Sequence, residues 1–439
     1  MSKFSKLSII ILVLILGACN RPIASQPPID IEVTQAEVQA TDLPDQPTDT
    51  SQPSDTDVPP PEEDPTPQPP PPTEDPLLNL PEVRLPLLTP GTEITMREVV
   101  MLNTSVGWGV AFAGGGIGHV LKTGDGGSSW GDITPPEPLN AGSSWFYPVV
   151  DFSDINHGYV TYPGSDLVWS TSDGGLSWHP SRLEYTTVGG ALITSLGQDH
   201  AWLFQFLDAG MQKVYTALYA TTDGGRSWNM LLDPTTSAEH SIQGFDKTGA
   251  DFYDPNNGIL TRFFRGVTPF VNLDLTRDGG STWEPLEVIP PHSAPDAFNS
   301  CACGYYDPDF WGNENISIKL ECQCFLEGGT FSKNYLYNTT DGGENWVIQS
   351  IPEGQLNKIS ASTYFVIGRE IYKSTDAGEN WGLVKNVNWD GQFSFADENT
   401  ALGIAYDPDN DVYALVKTTD GCQSFQIITP QVIEPYTSR

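Results

Sequence analysis

Basic residues are scarce in this sequence: 21 Lys and Arg stand against 56 Asp and Glu, for a formal net charge of −35. A surface with that balance repels phosphate backbones, which argues against nucleic acid as a partner. Histidines are few, six in all, and are scattered without metal-ligand spacing. No glycine-rich phosphate loop falls between a strand and a helix. On these grounds no cofactor is expected. Long apolar runs are missing too, except for Leu7 to Leu16, which is too short for a stable membrane span.

That run follows the basic start Met1-Ser2-Lys3-Phe4-Ser5-Lys6, as a secretory signal does. It ends in Leu16-Gly17-Ala18-Cys19, which resembles a bacterial lipobox. The resemblance implies cleavage before Cys19, lipidation of its thiol, and an extracytoplasmic protein held on a bacterial membrane. Residues 20–79 then read as a linker, with thirteen acids against Arg21 alone and a proline-rich centre from Val58 to Pro72. Such a stretch lacks the large apolar side chains a core needs. In polyproline II form its 60 residues reach at most ~190 Å, at ~3.1 Å each. Three regions follow: a signal peptide over 1–19, a linker over 20–79 and a folded domain over 80–439.

Within that domain Thr339-Thr340-Asp341-Gly342-Gly343-Glu344-Asn345-Trp346 recurs, with copies beginning at Thr123, Thr171, Thr221, Thr276, Ser374 and Thr418. The shared aspartates are Asp125, Asp173, Asp223, Asp278, Asp341, Asp376 and Asp420, at intervals of 35 to 63 residues. Six copies close on Trp130, Trp178, Trp228, Trp283, Trp346 and Trp381, the seventh on Phe425. A period in this range marks one supersecondary unit per repeat. Each copy follows a β-rich run, such as His119-Val120-Leu121. Asp-Gly-Gly after a strand is turn chemistry: Asp can accept backbone N–H bonds and Gly permits positive φ. Two strand-like pieces lie upstream of each turn's own strand, which makes four strands per unit. Seven such units predict an all-β, seven-bladed β-propeller of four-stranded antiparallel sheets. Val83-Arg84-Leu85 is a candidate for closing the ring on the last sheet.

The motif resembles the Asp box, the bacterial neuraminidase repeat Ser/Thr-x-Asp-x-Gly-x-x-Trp. That likeness implies turns that serve the fold on the rim, away from the functional face, so the seven aspartates are expected to be structural. The nearest overall resemblance is to single propellers of the photosystem II assembly-factor type, which implies a binding scaffold without catalytic residues. Val83-Arg84-Leu85-Pro86 also resembles the Arg-Ile-Pro element of sialidases. That reading would call on Arg262, Arg265 and Arg369 to grip a carboxylate, and on Tyr406 or Tyr413 as the activated tyrosine. Xyloglucan-cleaving glycosidases also use such propellers, two per chain, where this chain has length for one.

Cys301-Ala302-Cys303 and Cys322-Gln323-Cys324 fall in the fifth unit. Placed on adjacent antiparallel strands joined through 307–312, they bring Cys301 opposite Cys324 and Cys303 opposite Cys322. Two disulfides are expected outside the cytoplasm, with a four-thiolate zinc site as the rival. Cys422 is left unpaired. Asp407-Pro408-Asp409-Asn410-Asp411 lacks the glycine and glutamate of an EF-hand loop and reads as a hairpin turn.

The binding face is expected opposite the repeated turns. Its candidates are Trp145, Tyr147, His240, Arg265, Phe270, Trp389, Asp390, Asp407 and Asp409, since aromatics on loops offer contact area at small entropic cost. The expectation is a non-catalytic scaffold for an envelope protein or glycan, anchored to the membrane through Cys19. The alternative is a surface glycoside hydrolase. An arginine cluster around a Tyr–Glu pair would favour the enzyme.

Overall fold

The computed structural model describes residues 86–434, apart from 115, 137–146, 188–189, 211–212, 237–241, 264–271, 313 and 327–328. Short apolar runs bounded by Gly, Asp and Asn become strands buried on both faces, as Leu167–Thr171 shows. Blade one holds β1 (Thr95–Met101), β2 (Gly107–Phe112), β3 (Gly118–Thr123) and β4 (Ser129–Asp132). Blade two holds β5 (Val149–Phe152), β6 (Gly158–Thr161), β7 (Leu167–Thr171) and β8 (His179–Arg182). Blade three holds β9 (Ala191–Leu196), β10 (His200–Gly210), β11 (Lys213–Thr221) and β12 (Asn229–Leu232). Blade four holds β13 (Asp246–Phe252), β14 (Gly258–Phe263), β15 (Asn272–Thr276) and β16 (Glu284–Glu287). A single helical turn, α1 (Ala297–Ser300), precedes blade five: β17 (Cys301–Phe310), β18 (Ile316–Leu326), β19 (Gly329–Thr339) and β20 (Val347–Ile351). Blade six holds β21 (Gln355–Lys358), β22 (Tyr364–Ile367), β23 (Glu370–Ser374) and β24 (Gly382–Asn386). Blade seven holds β25 (Asp390–Phe395), β26 (Ala401–Asp407), β27 (Val412–Thr418) and β28 (Gln426–Ile428), and β29 (Gln431–Ile433) ends the described chain.

Each blade is an antiparallel four-stranded meander, and seven of them make the fold an all-β, seven-bladed propeller. Blades four and five join into one eight-stranded sheet through a single bridge, Phe263 at the end of β14 with Gly304 of β17. The first strands face inward: β5 packs on β9, β9 on β13, β13 on β17, β21 on β25 and β25 on β1. The cores lie between blades. Leu402, Ile404 and Leu415 of blade seven pack with Met96, Leu121 and Trp130 of blade one. Fully burying a side chain such as Trp130 contributes about 2–3 kcal/mol.

One strand goes unmarked in the sequence reading. The closing strand is β29, which pairs in parallel with β4 on the first sheet, Val432 opposite Trp130. Without it β4 would leave an unpaired edge beside the most buried tryptophan. Gly91 N–H donates to Val432 O at 2.9 Å, and Leu88 N–H donates to Asp132 Oδ2 at 2.8 Å, so both ends of the domain meet here. Residues 83–85 lie outside the described residues.

The fifth blade also corrects one detail. Cys301 pairs with Cys324 and Cys303 with Cys322 as disulfides, in the expected register. The connecting turn is 311–315, however, because β17 continues through Asp307 and Pro308 to Phe310. The register shifts between Tyr306 and Asp309, and Asp307 takes φ 50°. Proline has no N–H for the ladder, and a bulge accommodates that without ending the strand.

Candidate functional site

The repeated turns join the third and fourth strands of every blade. In blade one Thr123 Oγ1 donates to Asp125 Oδ1 at 3.0 Å and accepts from Gly127 N–H at 2.9 Å. Asp125 also accepts from Ser129 N–H at 2.9 Å and from Ser129 Oγ at 2.6 Å. The same bonds recur around Asp173, Asp223, Asp278, Asp341, Asp376 and Asp420. The residue just before the aromatic supplies the last bond: Ser129, Ser177, Ser227, Thr282, Asn345, Asn380 or Ser424. Sequence reasoning missed that position, although its run of hydroxyls and amides was visible.

A further backbone bond locks each turn onto the turn between the first two strands, as Gly126 N–H to Ser105 O at 2.8 Å and Gly421 N–H to Asn399 O at 2.9 Å. Burial works against the charge on Asp125, but bonds from Ser129, Thr123 and Ser128 win and hold it below the usual carboxylate range. Bonds from Thr339 and Asn345 bring Asp341 to about 2. A carboxylate so satisfied is a poor acid or base at neutral pH.

The other end of the ring is chemically different. On β1 the register shifts between Met96 and Glu98, so Arg97 is an extra residue facing no partner of its own. Such bulges re-aim side chains. Tyr147, just before β5, donates its hydroxyl to Glu98 Oε2 at 2.9 Å. Glu98 is half-buried, whereas Tyr147 is 40% exposed. Burial pushes Glu98 up to about 7 against the opposing hydrogen bond from Tyr147, and the charge of Asp151 adds to the rise. Burial and the Glu98 carboxylate push the Tyr147 hydroxyl far up, so the tyrosine keeps its proton and acts as donor. A glutamate near 7 can accept or release a proton at neutral pH.

Around this pair runs a belt of aromatic and charged side chains. The Arg97 guanidinium lies 3.9 Å over the Tyr413 ring, and the Tyr413 and Tyr406 ring centroids are 4.7 Å apart. Tyr406 donates to Asp411 Oδ1 at 3.2 Å. Arg369 Nε donates to Asp390 Oδ1 at 3.1 Å, with both side chains exposed. Blades six, seven, one and two thus contribute to the belt.

Of the residues expected on this face, Tyr147 and Asp390 belong to the belt. Asp407 closes the hairpin turn between β26 and β27, accepting from Asp409 N–H at 2.9 Å and Asn410 Nδ2 at 2.8 Å. Asp409 is exposed within that turn. Trp389 is displaced from the expected position: it packs against Phe393 and Phe425, in a shallow groove of about 590 Å³ between the outer parts of blades six and seven. Trp145, His240, Arg265 and Phe270 lie outside the described residues, as does Arg84. Arg262 is buried, with its Nε 2.6 Å from Asp274 Oδ2, and so cannot reach a ligand on the face.

Glu98 and Arg97 escaped sequence reasoning. Their one signal was two adjacent charges heading the apolar strand Val99-Val100-Met101, and that pattern has no fixed spacing.

No family model and no curated protein matches the chain. Among solved structures it resembles the GH74 xyloglucanase from Xanthomonas campestris, with 14% identity and a TM-score of 0.34 over 75% of this chain. The match spans 64% of that enzyme's length. It also resembles GH43B of the Bacteroides ovatus xyloglucan utilisation locus, with 11% identity and a TM-score of 0.29, over 79% of this chain and 90% of the other.

Proposed function

We propose that the protein is a glycoside hydrolase whose working face is the end opposite the aspartate turns, with Tyr147 and Glu98 at its centre. The observation that carries the reading is the 2.9 Å hydrogen bond from the exposed Tyr147 hydroxyl to a glutamate near 7. A sugar arriving from solvent meets Tyr147 Oη first. As Oη attacks the anomeric carbon, its proton passes to Glu98 and the glycosidic C–O bond breaks, with the electron pair leaving on the departing oxygen. Water then attacks the anomeric carbon, the C–Oη bond breaks and Glu98 returns its proton to Oη, while the proton that the water loses passes through solvent to the departed oxygen. Tyr413 and Tyr406 offer apolar ring faces on which neighbouring sugar rings can lie.

The reading of the termini joins this proposal. Lipidated Cys19 would hold the domain at a bacterial membrane while the proline-rich linker lets it reach glycans in or beyond the envelope. Replacing Cys19 by Ala is then expected to move the protein from the membrane fraction to the soluble fraction.

Aryl glycosides with a fluorescent leaving group test the pair directly, because such a group departs without acid assistance. The full chain is expected to turn over at least one of a panel of such glycosides, and both Glu98→Gln and Tyr147→Phe should lower that turnover at least about a hundredfold. Saturable glycan binding with no turnover would replace this reading by the non-catalytic scaffold. One observation favours that second reading: Arg97 and Arg369 are engaged by Tyr413 and Asp390, which leaves no arginine cluster among the described residues to grip a carboxylate.

A further inference from the structure

Glu98 ties blade one to blade two through Tyr147, and its neighbour Arg97 ties blade one to blade seven through Tyr413. In a regular strand alternate side chains share a face, so Met96 and Glu98 would point the same way. Here they point apart. Met96, Val99 and Met101 pack with Leu402 and Ile404 of blade seven, whereas Glu98 meets Tyr147 beside blade two. The change of phase comes from the bulge: Met96 stands opposite Ala111 and Glu98 opposite Val110, with Arg97 as the extra residue between them. One inserted residue thus lets two adjacent side chains serve opposite neighbours.

The bulge itself does not call for an arginine. In blade four β13 has the same irregularity with Thr248 as the extra residue, and that hydroxyl donates to Tyr305 O of blade five. Gly249 follows it, so no side chain is aimed there. In blade one the extra residue is long and charged, and its guanidinium lies 3.9 Å over the Tyr413 ring. Tyr413 stands opposite Tyr406 in the β26–β27 ladder, with ring centroids 4.7 Å apart, which steadies the seat. On the other side the Phe112 ring flanks Tyr147, with centroids 5.9 Å apart. A cation attracted to an aromatic face stays where that ring is held.

We infer that Arg97 is a positioning residue of this site, seated on Tyr413 so that a fixed positive charge beside the Tyr147–Glu98 pair helps the proton to leave Oη. The inference rests on the hydrolase reading above. As Oη attacks the anomeric carbon, its proton passes to Glu98 and the electron pair of the glycosidic C–O bond leaves on the departing oxygen. Negative charge grows on Oη while its O–H bond stretches. A guanidinium stabilises that charge without gaining or losing a proton itself. The direction agrees with the acidity of the tyrosine, where the Arg97 charge opposes the rise caused by burial and by Glu98. Arg97 is half-buried, so solvent screens part of its field and the contribution is moderate.

The test compares two substitutions in the full chain, read by steady-state turnover of an aryl glycoside that the unmodified chain cleaves. Arg97→Met keeps an unbranched side chain that can lie on Tyr413 but removes the charge. It should lower kcat about tenfold and leave KM within about twofold. Arg97→Lys keeps the charge and should hold kcat within about threefold of the unmodified chain. Equal kcat in the two variants, or a loss confined to KM, would overturn the inference, because packing alone does not separate Met from Lys by charge. Thermal unfolding checks that each variant folds. If Arg97→Met does not, Tyr413→Leu removes the seat instead and should also lower kcat, since the guanidinium is then free to turn to solvent; an unchanged kcat there would overturn the inference. Failure of the unmodified chain to cleave any aryl glycoside would overturn the hydrolase reading and this inference with it. Normal turnover with indifferent Arg97 variants would overturn this inference alone.

Discussion

At one end of the propeller seven blades repeat a single set of hydrogen bonds; at the other end the described side chains differ from blade to blade. Asp125 and Asp420 stand in the same environment with five blades between them, each held by a hydroxyl two residues before and another four residues after. Repetition therefore marks what every blade needs in order to fold. Chemistry that must occur once is carried by side chains set on shared backbone: β13 bulges at Thr248 as β1 does at Arg97, but Gly249 stands where β1 has Glu98.

If this division holds, changes at the two ends should separate activity from stability. The largest effect is expected from Glu98→Gln, which should lower aryl-glycoside kcat about 10²- to 10³-fold, the usual scale for a lost proton acceptor. Asp125→Ala, at the opposite end, should leave kcat within about twofold. A comparable loss of kcat in both variants would erase the distinction. Next comes blade five. Replacing all four of its bonded cysteines by Ser opens a loop of 23 residues and should cost about 3 kcal/mol in denaturant unfolding, concentrated in that blade. Asp125→Ala itself removes bonds to Thr123, Ser128 and Ser129 and should cost about 1–2 kcal/mol, comparable to loss of a helix cap.

Acidity should pull the two ends in opposite directions. Glu98 keeps its proton up to about 7 in the fold, whereas an unfolded glutamate releases it near 4.5. Between those values the folded state binds more protons, so this group makes stability fall as pH rises. Asp309, pushed up to about 6 by burial against the opposing charge of Lys358, acts in the same direction from 3.8 upward. Asp341 and Asp376, held at about 2 by hydrogen bonds, contribute stability above 3.8 that is lost as pH falls toward 2. The expected Tm profile peaks near about pH 4 to 5. Glu98→Gln should flatten only its neutral limb. A profile unaffected by that substitution would remove the glutamate from the set of shifted groups.

The aspartate turns were legible because a local rule writes them: hydroxyl, Asp, glycines and aromatic lie within eight residues of each other. The cysteine register was legible for a similar reason, since two Cys-x-Cys strands have one pairing that matches both. Tyr147 could be named as a loop aromatic, yet its partner lies 49 residues away on another blade. Only the stacking of blades brings them together, and sequence spacing carries no record of that. The closing strand was missed for a related reason: Gln431-Val432-Ile433 is too short to stand out, and it becomes a strand through the edge that β4 offers. Trp389 was placed on the face because it precedes a first strand, but Phe393 and Phe425 give it a better-packed place at the rim.

The smallest expected effect bears on the regular end itself. The fifth residue of the turn is glycine in six blades, at φ 73° in none of them but between 83° and 98°, whereas Cys422 takes this place in blade seven at φ 68°. The fourth residue is likewise glycine except for Ala377 in blade six, at φ 58°. A side chain in this left-handed region costs about 1 kcal/mol, partly offset by the lower entropy of an unfolded chain that lacks a glycine. Cys422 is wholly buried and packs with Phe393 and Val416, so removing its side chain would also open a cavity and confuse the outcome. Ala377 lies only partly buried beside Leu336 and Trp381, and its methyl contributes little to that packing. Ala377→Gly should therefore stabilise the protein by up to about 0.5 kcal/mol, read as a small rise in the denaturant midpoint. A clear loss of stability would mean that the turn in blade six depends on its side chain, and that even the repeating end is less uniform than its hydrogen bonds suggest.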